Sequence, residues 1–204
     1  LQESNSIIVA MKNGVLKIDK KPIVMRFLNQ TRIIVLSFLI VILVGSGLLM
    51  LPCSHTESIT YLDALFTATS ATCVTGLVVQ DTATYWTPFG QFVIMLLIQI
   101  GGMGVVTVVA LITMVSGRKI GLMQRSTMQD AISAPKVGGI VRLTRFIVRG
   151  TFLIELIGMV AMLPVFCRDH GFKGIWMAAF HSVSAFCNAG FDILGTTENK
   201  YPSL

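Results

Sequence analysis

Two short stretches hold the residues best placed to do chemistry: Thr72-Cys73-Val74-Thr75-Gly76 and Phe186-Cys187-Asn188-Ala189-Gly190. Each ends at a glycine, and the first in particular is too polar for the long apolar runs around it. Neither offers a side-chain set for making or breaking bonds. What they offer is backbone, because carbonyls of irregular chain that is buried in protein or lines water can replace a cation's hydration shell. The expected donors are the carbonyls of Thr72, Cys73, Val74 and Thr75, and of Phe186, Cys187, Asn188 and Ala189. Gly76 and Gly190 serve as pivots, since glycine takes positive φ without a Cβ penalty and so helps aim successive carbonyls at one axis. The chemistry is that of an ion filter.

Further residues compete for a role. Asp81 and Asp192 follow the two stretches, where carboxylates either concentrate cations at an outer mouth or are plain solvated loop acids. Glu155 falls near the middle of an apolar run, where an acid marks an ion or proton site or a structural hydrogen bond to another helix, with Gln99 as partner. His181-Ser182 has the composition of a base and a nucleophile. Adjacent positions on a helix project about 100° apart, and no acid orients the histidine, so a catalytic pair is rejected. Cys73 and Cys187 read as small space-fillers. Cys53 and Cys167 end their spans, too far apart for a disulfide.

Elements must then place these stretches in a membrane. The chain is 53% hydrophobic and 13% charged, with mean hydropathy +0.76, against about 25% charged in soluble domains. Ile33 to Leu51 is long enough to span, and too long for a signal-peptide core. Ser58 to Ala71 reads as a half-spanning pore helix with Leu62, Leu65, Phe66 and Thr69 on one face, capped by Ser58 or Thr60. Its negative C-terminal end favours a cation. Tyr85 and Trp86 mark the outer interface, Pro88 opens the next helix, and Phe89 to Val115 returns. Within it Gly101, Gly102 and Gly104 serve close packing or flexibility. Phe146 to Phe166 is the third span, with Arg149 snorkelling to the inner interface, and Gly174 to Ala185 the second pore helix. The segments are 1–30, a basic arm or weak Asn13-Gly14 hairpin; 31–116, a first repeat; 117–144, a linker with an amphipathic Leu122–Ile132 and a break at Ala134-Pro135; and 145–204, a second repeat lacking its last span.

The net charge of +6 on 16 Lys and Arg invites a nucleic-acid reading, but its distribution argues for lipid as the surroundings and for no nucleic-acid partner. Thirteen of the 16 precede the first span or lie between the second span and the start of the third. The positive-inside rule puts these in the cytoplasm and the filters on the extracellular side.

A shift of 114 positions lays Ala64 on Ala178, Phe66 on Phe180, Ser70 on Ser184, Cys73 on Cys187 and Gly76 on Gly190. The same shift lays Phe38-Leu39-Ile40 on Phe152-Leu153-Ile154 and Cys53 on Cys167. One register across span, half-helix and filter is an internal repeat.

With Ser70-Ala71-Thr72-Cys73-Val74-Thr75-Gly76-Leu77, Gln99-Ile100-Gly101-Gly102-Met103-Gly104 and Ser184 to Phe191 in view, the chain resembles the KtrB family from about Arg26 onward. These are the ion-conducting subunits of bacterial Ktr potassium uptake systems, within the Trk/Ktr/HKT superfamily. The resemblance implies an all-α integral membrane fold of four membrane–pore-loop–membrane repeats around one pseudo-fourfold ion pore. By that pattern the chain is expected to be truncated: the family's gating loop and pore-side basic residue have no counterpart, and two loops alone are not expected to form a selective pore. It further implies K⁺ as the transported ion, Na⁺ as a regulator, no organic cofactor, a homodimer, and a cytoplasmic RCK-type nucleotide-binding ring of KtrA type. One glycine per filter contrasts with the two of potassium channels, and relatives with serine at the first filter prefer Na⁺. The alternatives are a Trk-type K⁺ or K⁺/Na⁺ transporter, a non-conducting membrane scaffold, and an intramembrane enzyme using Glu155.

Overall fold

The computed structural model describes residues 23–104, 107 and 140–196. The chain divides into two units, 1–32 and 33–204; the described part of the first is helical, and both glycine-ended stretches belong to the second. The expectations for the basic arm, the Leu122–Ile132 helix and the Ala134-Pro135 break lie outside the described residues.

Five helices make up the described chain: α1 (Ile23–Leu49), α2 (Tyr61–Cys73), α3 (Pro88–Met103), α4 (Ile140–His170) and α5 (Lys173–Phe186). Among the described residues there is no strand, only one isolated bridge between His55 and Trp86. Helices stand where the first and third spans and the two short helices were expected, with shifted ends. α1 begins ten residues before the expected span and α4 begins at Ile140, inside the expected linker. A helix can extend past the apolar stretch because polar residues such as Arg26 and Arg142 carry good helix propensity of their own. The expected span from Phe89 is interrupted: α3 ends at Met103, and Gly104 takes φ +80°. The segment Thr144–His170 is long and apolar enough to cross a membrane; Ile34–Leu49 and Pro88–Met103 are shorter apolar helices.

Caps decide where the short helices start. Thr60, not Ser58, opens α2, its Oγ1 accepting from Asp63 N–H at 3.2 Å. Thr87 does the same for α3, accepting from Gly90 N–H at 3.2 Å with Pro88 in the first turn. Each cap satisfies one of the four amides that a helix start leaves without partners. α4 turns into α5 over two residues, with Gly171 at φ +59° and Gly174 pressed against the backbone of Phe166 and Cys167.

α4 packs along α5, α2 on α3, and α3 reaches α5. α1 meets α3 where Gly45 faces Leu97; a Cβ there would sit 2.7 Å from a Leu97 methyl. The larger residues of the face read on α2 turn away from the protein. Leu62 (73% exposed) and Phe66 point outward, while Ala64, Thr67, Ala68, Ser70, Ala71 and Thr72 are buried. Lipid is as apolar as leucine, so large apolar residues gain little by turning inward; small residues do, because they let backbones approach. The outward rows Leu36, Leu39, Ile40 and Leu43 on α1, and Leu153, Leu156, Ile157 and Val160 on α4, follow the same rule.

Candidate functional site

The two short helices α2 and α5 end in the same way. After α2, Val74 N–H donates to Ala71 O (3.3 Å) and Thr75 N–H to Ser70 O (3.0 Å). After α5, Asn188 N–H donates to Ala185 O (3.0 Å) and Ala189 N–H to Ser184 O (2.7 Å). Each acceptor and donor in the second set lies 114 positions beyond its counterpart in the first. This pair of bonds closes a helix through one left-handed residue, and that residue is Val74 (φ +57°) in one loop and Asn188 (φ +56°) in the other. Two positions on, Gly76 takes φ +76° and Gly190 φ +71°. Left-handed residues alternating with ordinary ones keep the chain extended while turning successive peptide planes, the local geometry that brings carbonyls to one side.

The loops also touch. An added Cβ at Gly76 would lie 2.7 Å from the Ala189 carbonyl oxygen and 3.3 Å from the Gly190 Cα; one at Gly190 would lie 3.3 Å from the Gly76 Cα. Behind them stands α3. A Cβ on Gly101 would collide with the Thr72 carbonyl, and one on Gly102 with the Cys187 side chain. Of the two roles read for these glycines, close packing holds for Gly101 and Gly102, whereas Gly104 bends the chain. The Thr72 carbonyl is therefore packed against α3.

Hydroxyls fasten each loop to its own helix by different bonds. Thr75 Oγ1 donates to Ser70 Oγ at 2.9 Å, whereas Ser184 Oγ donates to the Phe191 carbonyl at 2.6 Å. Cys187 is half-buried, Cys73 exposed, and all four cysteines are free thiols.

Glu155 and Gln99 come together: Gln99 Nε2 donates to Glu155 Oε1 at 2.8 Å, with both side chains more than nine-tenths buried. His181 has a ring nitrogen, Nδ1, 2.7 Å from the Met177 carbonyl, which requires Nδ1–H, and its ring stacks on Phe166. Ser182 instead donates to the Glu155 carbonyl. The adjacent pair thus makes separate structural bonds.

The outer residues differ most from expectation. Asp81 is only 5% exposed, so it is no solvated loop acid. Its Oδ2 accepts from Thr84 N–H (2.8 Å) and Thr84 Oγ1 (2.6 Å), and its carboxylate lies against Gly195. Asp192 is half-buried and accepts from Leu194 N–H at 3.0 Å. Tyr85 and Trp86 are buried at 6% and 2%, not displayed as interface anchors. Trp86 pairs with His55, and Tyr85 OH donates to the Ser58 carbonyl at 3.0 Å, because the chain after the first loop folds back over residues 54–58. Burial first, and then the Asp63 and Glu57 carboxylates, push the Tyr85 phenol up from its ordinary pKa. Sequence reasoning missed Gln91. Its Nε2 donates to the carbonyls of Thr82, Ala83 and Trp86, and its Oε1 accepts from Trp176 Nε1 at 2.9 Å, tying the outer loop to α5. A buried glutamine one turn into an apolar helix was the available signal.

TrkH, described as a cation transport protein family, matches residues 4–201. The chain belongs to that family. Family membership makes it a membrane protein of a transporter class rather than an enzyme class. It is 44% identical over 163 residues to the Ktr system potassium uptake protein B of Bacillus subtilis, covering 79% of this chain and 37% of that protein. It is 43% identical over 171 residues to the potassium/sodium uptake protein NtpJ of Enterococcus hirae (82% and 38%). It is 40% identical over 164 residues to the Ktr system potassium uptake protein B of Vibrio alginolyticus (80% and 36%). The resemblance to KtrB read from the motifs is thereby borne out. The chain spans less than two fifths of the length of these relatives.

Proposed function

We propose that this TrkH-family chain supplies two of the four filter loops in the translocating subunit of a Ktr-type potassium uptake system. The observation that carries the reading is the matched backbone of the loops. Val74 and Gly76, and Asn188 and Gly190, share one pattern of positive φ, and the two glycines lie in contact. Such loops suit a dehydrated cation held by carbonyls, since the backbone pays no side-chain entropy to do so and is already oriented when the ion arrives. The donors are the carbonyls of Cys73, Val74 and Thr75, and of Phe186, Cys187, Asn188 and Ala189; the Thr72 carbonyl, expected among them, is packed against Gly101 of α3 and is left out. Residues 31–116 and 145–204 are the corresponding repeats, and two further copies complete a pseudo-fourfold ring. The basic segments face the cytoplasm and the loops face outward.

Support for K⁺ as cargo comes from relatives named as potassium uptake proteins. The relative named for both potassium and sodium favours a second reading, a K⁺/Na⁺ transporter, or Na⁺ as regulator of K⁺ uptake. The word "system" in the relatives' names agrees with a multi-component assembly. We assign it a homodimer on a cytoplasmic RCK-type ring. Asp192 lies at the outer mouth.

The test is K⁺ and Na⁺ uptake by the full-length protein in cells lacking their own potassium uptake. The expected result is K⁺-dependent growth that Gly76→Ser converts to poor K⁺/Na⁺ discrimination with assembly retained. Unchanged discrimination would sink the filter assignment.

A further inference from the structure

We propose that Glu155 is a positioning residue for both loops, acting through Gln99 and the Gly101-Gly102 step of α3. The inference rests on the filter reading of the two loops. Glu155 sits on α4, 6% exposed, and contacts two other elements. Its carboxylate accepts from Gln99 on α3, and its carbonyl accepts from Ser182 on α5. Two residues beyond Ser182, Ser184 holds the second loop through the Phe191 carbonyl. Gln99 and Gly102 stand three residues apart and so share a face of α3. Gly102 abuts Cys187 of the second loop and Gly101 abuts Thr72, the last turn before the first. These contacts lack a Cβ to cushion them, so a small turn or slide of α3 reaches both loops.

The orientation of Gln99 depends on this one acid. Its Oε1 is buried with no partner among the described residues, so the bond from Nε2 to Glu155 is what fixes the amide. That bond also pins the rotation of α3 against α4, so α3 is free to turn once the bond is lost, whether or not an unpartnered amide remains.

The test measures K⁺/Na⁺ uptake ratios of full-length variants in proteoliposomes. Glu155→Leu lowers the ratio about tenfold, a change matching part of one charge-assisted hydrogen bond. Glu155→Gln, whose amide oxygen still accepts from Gln99, keeps the ratio within about twofold. The double variant Gln99→Leu/Glu155→Leu removes both polar partners and leaves neither stranded, so it assembles even if Glu155→Leu does not; it also loses the ratio. Exchange by Gln99→Glu/Glu155→Gln recovers it. A wild-type ratio in the assembled double Leu variant overturns the proposal. So does a Glu155→Gln variant that assembles yet transports nothing, because that result assigns the charge to an ion or proton role. Gly76→Ser is measured alongside. If it lowers the ratio while the double Leu variant does not, only the positioning role fails; if it changes nothing, the filter reading fails as well.

Discussion

The two loops share backbone conformation and differ in how it is held. The first places Val74, a β-branched residue, in the left-handed region; the second places Asn188 there. Asparagine tolerates that region, whereas for a β-branched residue it is an outlier. The first compensates with the Thr75–Ser70 hydroxyl pair and a helix capped by Thr60, while Phe172, the residue before α5, gives no side-chain cap. The second uses its serine on Phe191 and leans Cys187 on Gly102. A repeat therefore keeps its geometry more strictly than the interactions that maintain it, since many different bonds can stabilise one conformation.

Breaking the glycines has the largest expected effect. Gly76→Ala and Gly190→Ala each lower the K⁺/Na⁺ uptake ratio by about tenfold or more, because either forces a side chain into a positive-φ position. Gly76→Ala is the more severe, since its methyl also meets the Ala189 carbonyl, whereas the Gly190 methyl meets only the Gly76 Cα. Ion uptake and the yield of assembled protein distinguish the two. The left-handed residues come next. Val74→Asn stabilises the full-length protein by about 1 kcal/mol, and Asn188→Val destabilises it by a similar amount, read as opposite shifts in thermal unfolding. Equal shifts of one sign would remove strain from the comparison.

Smaller effects test the fastenings. Thr60→Ala costs about 1 kcal/mol through loss of its cap, while Phe172→Ala at the start of α5 changes stability by less than about 0.5 kcal/mol. Thr75→Val removes the bond to Ser70 and costs about 0.5–1 kcal/mol. Its consequences stay in the first loop, so hydrogen exchange rises at residues 74–77 and not at 188–191.

Read alone, the amino-acid sequence determined what is local or repeated. Two glycine-ended stretches after short helices, in one register of 114 positions, located the loops and their conformation, because positive φ and helix closure depend on a few neighbouring residues. The acid at position 155 and its partner Gln99 were also legible, since a dry carboxylate must find a donor and few are on offer. Tertiary structure decided the rest. Which face of α2 turns inward is not written in its hydropathy, because lipid and protein interior are equally apolar and close approach by Ala64, Ala68 and Ala71 selects the face. Asp81, Tyr85 and Trp86 look like surface residues until the chain at 54–58 and Gly195 close over them. Gly101 and Gly102 became the backing of both loops only once α3 lay against them, for the absence of a side chain says nothing about what will fill the space.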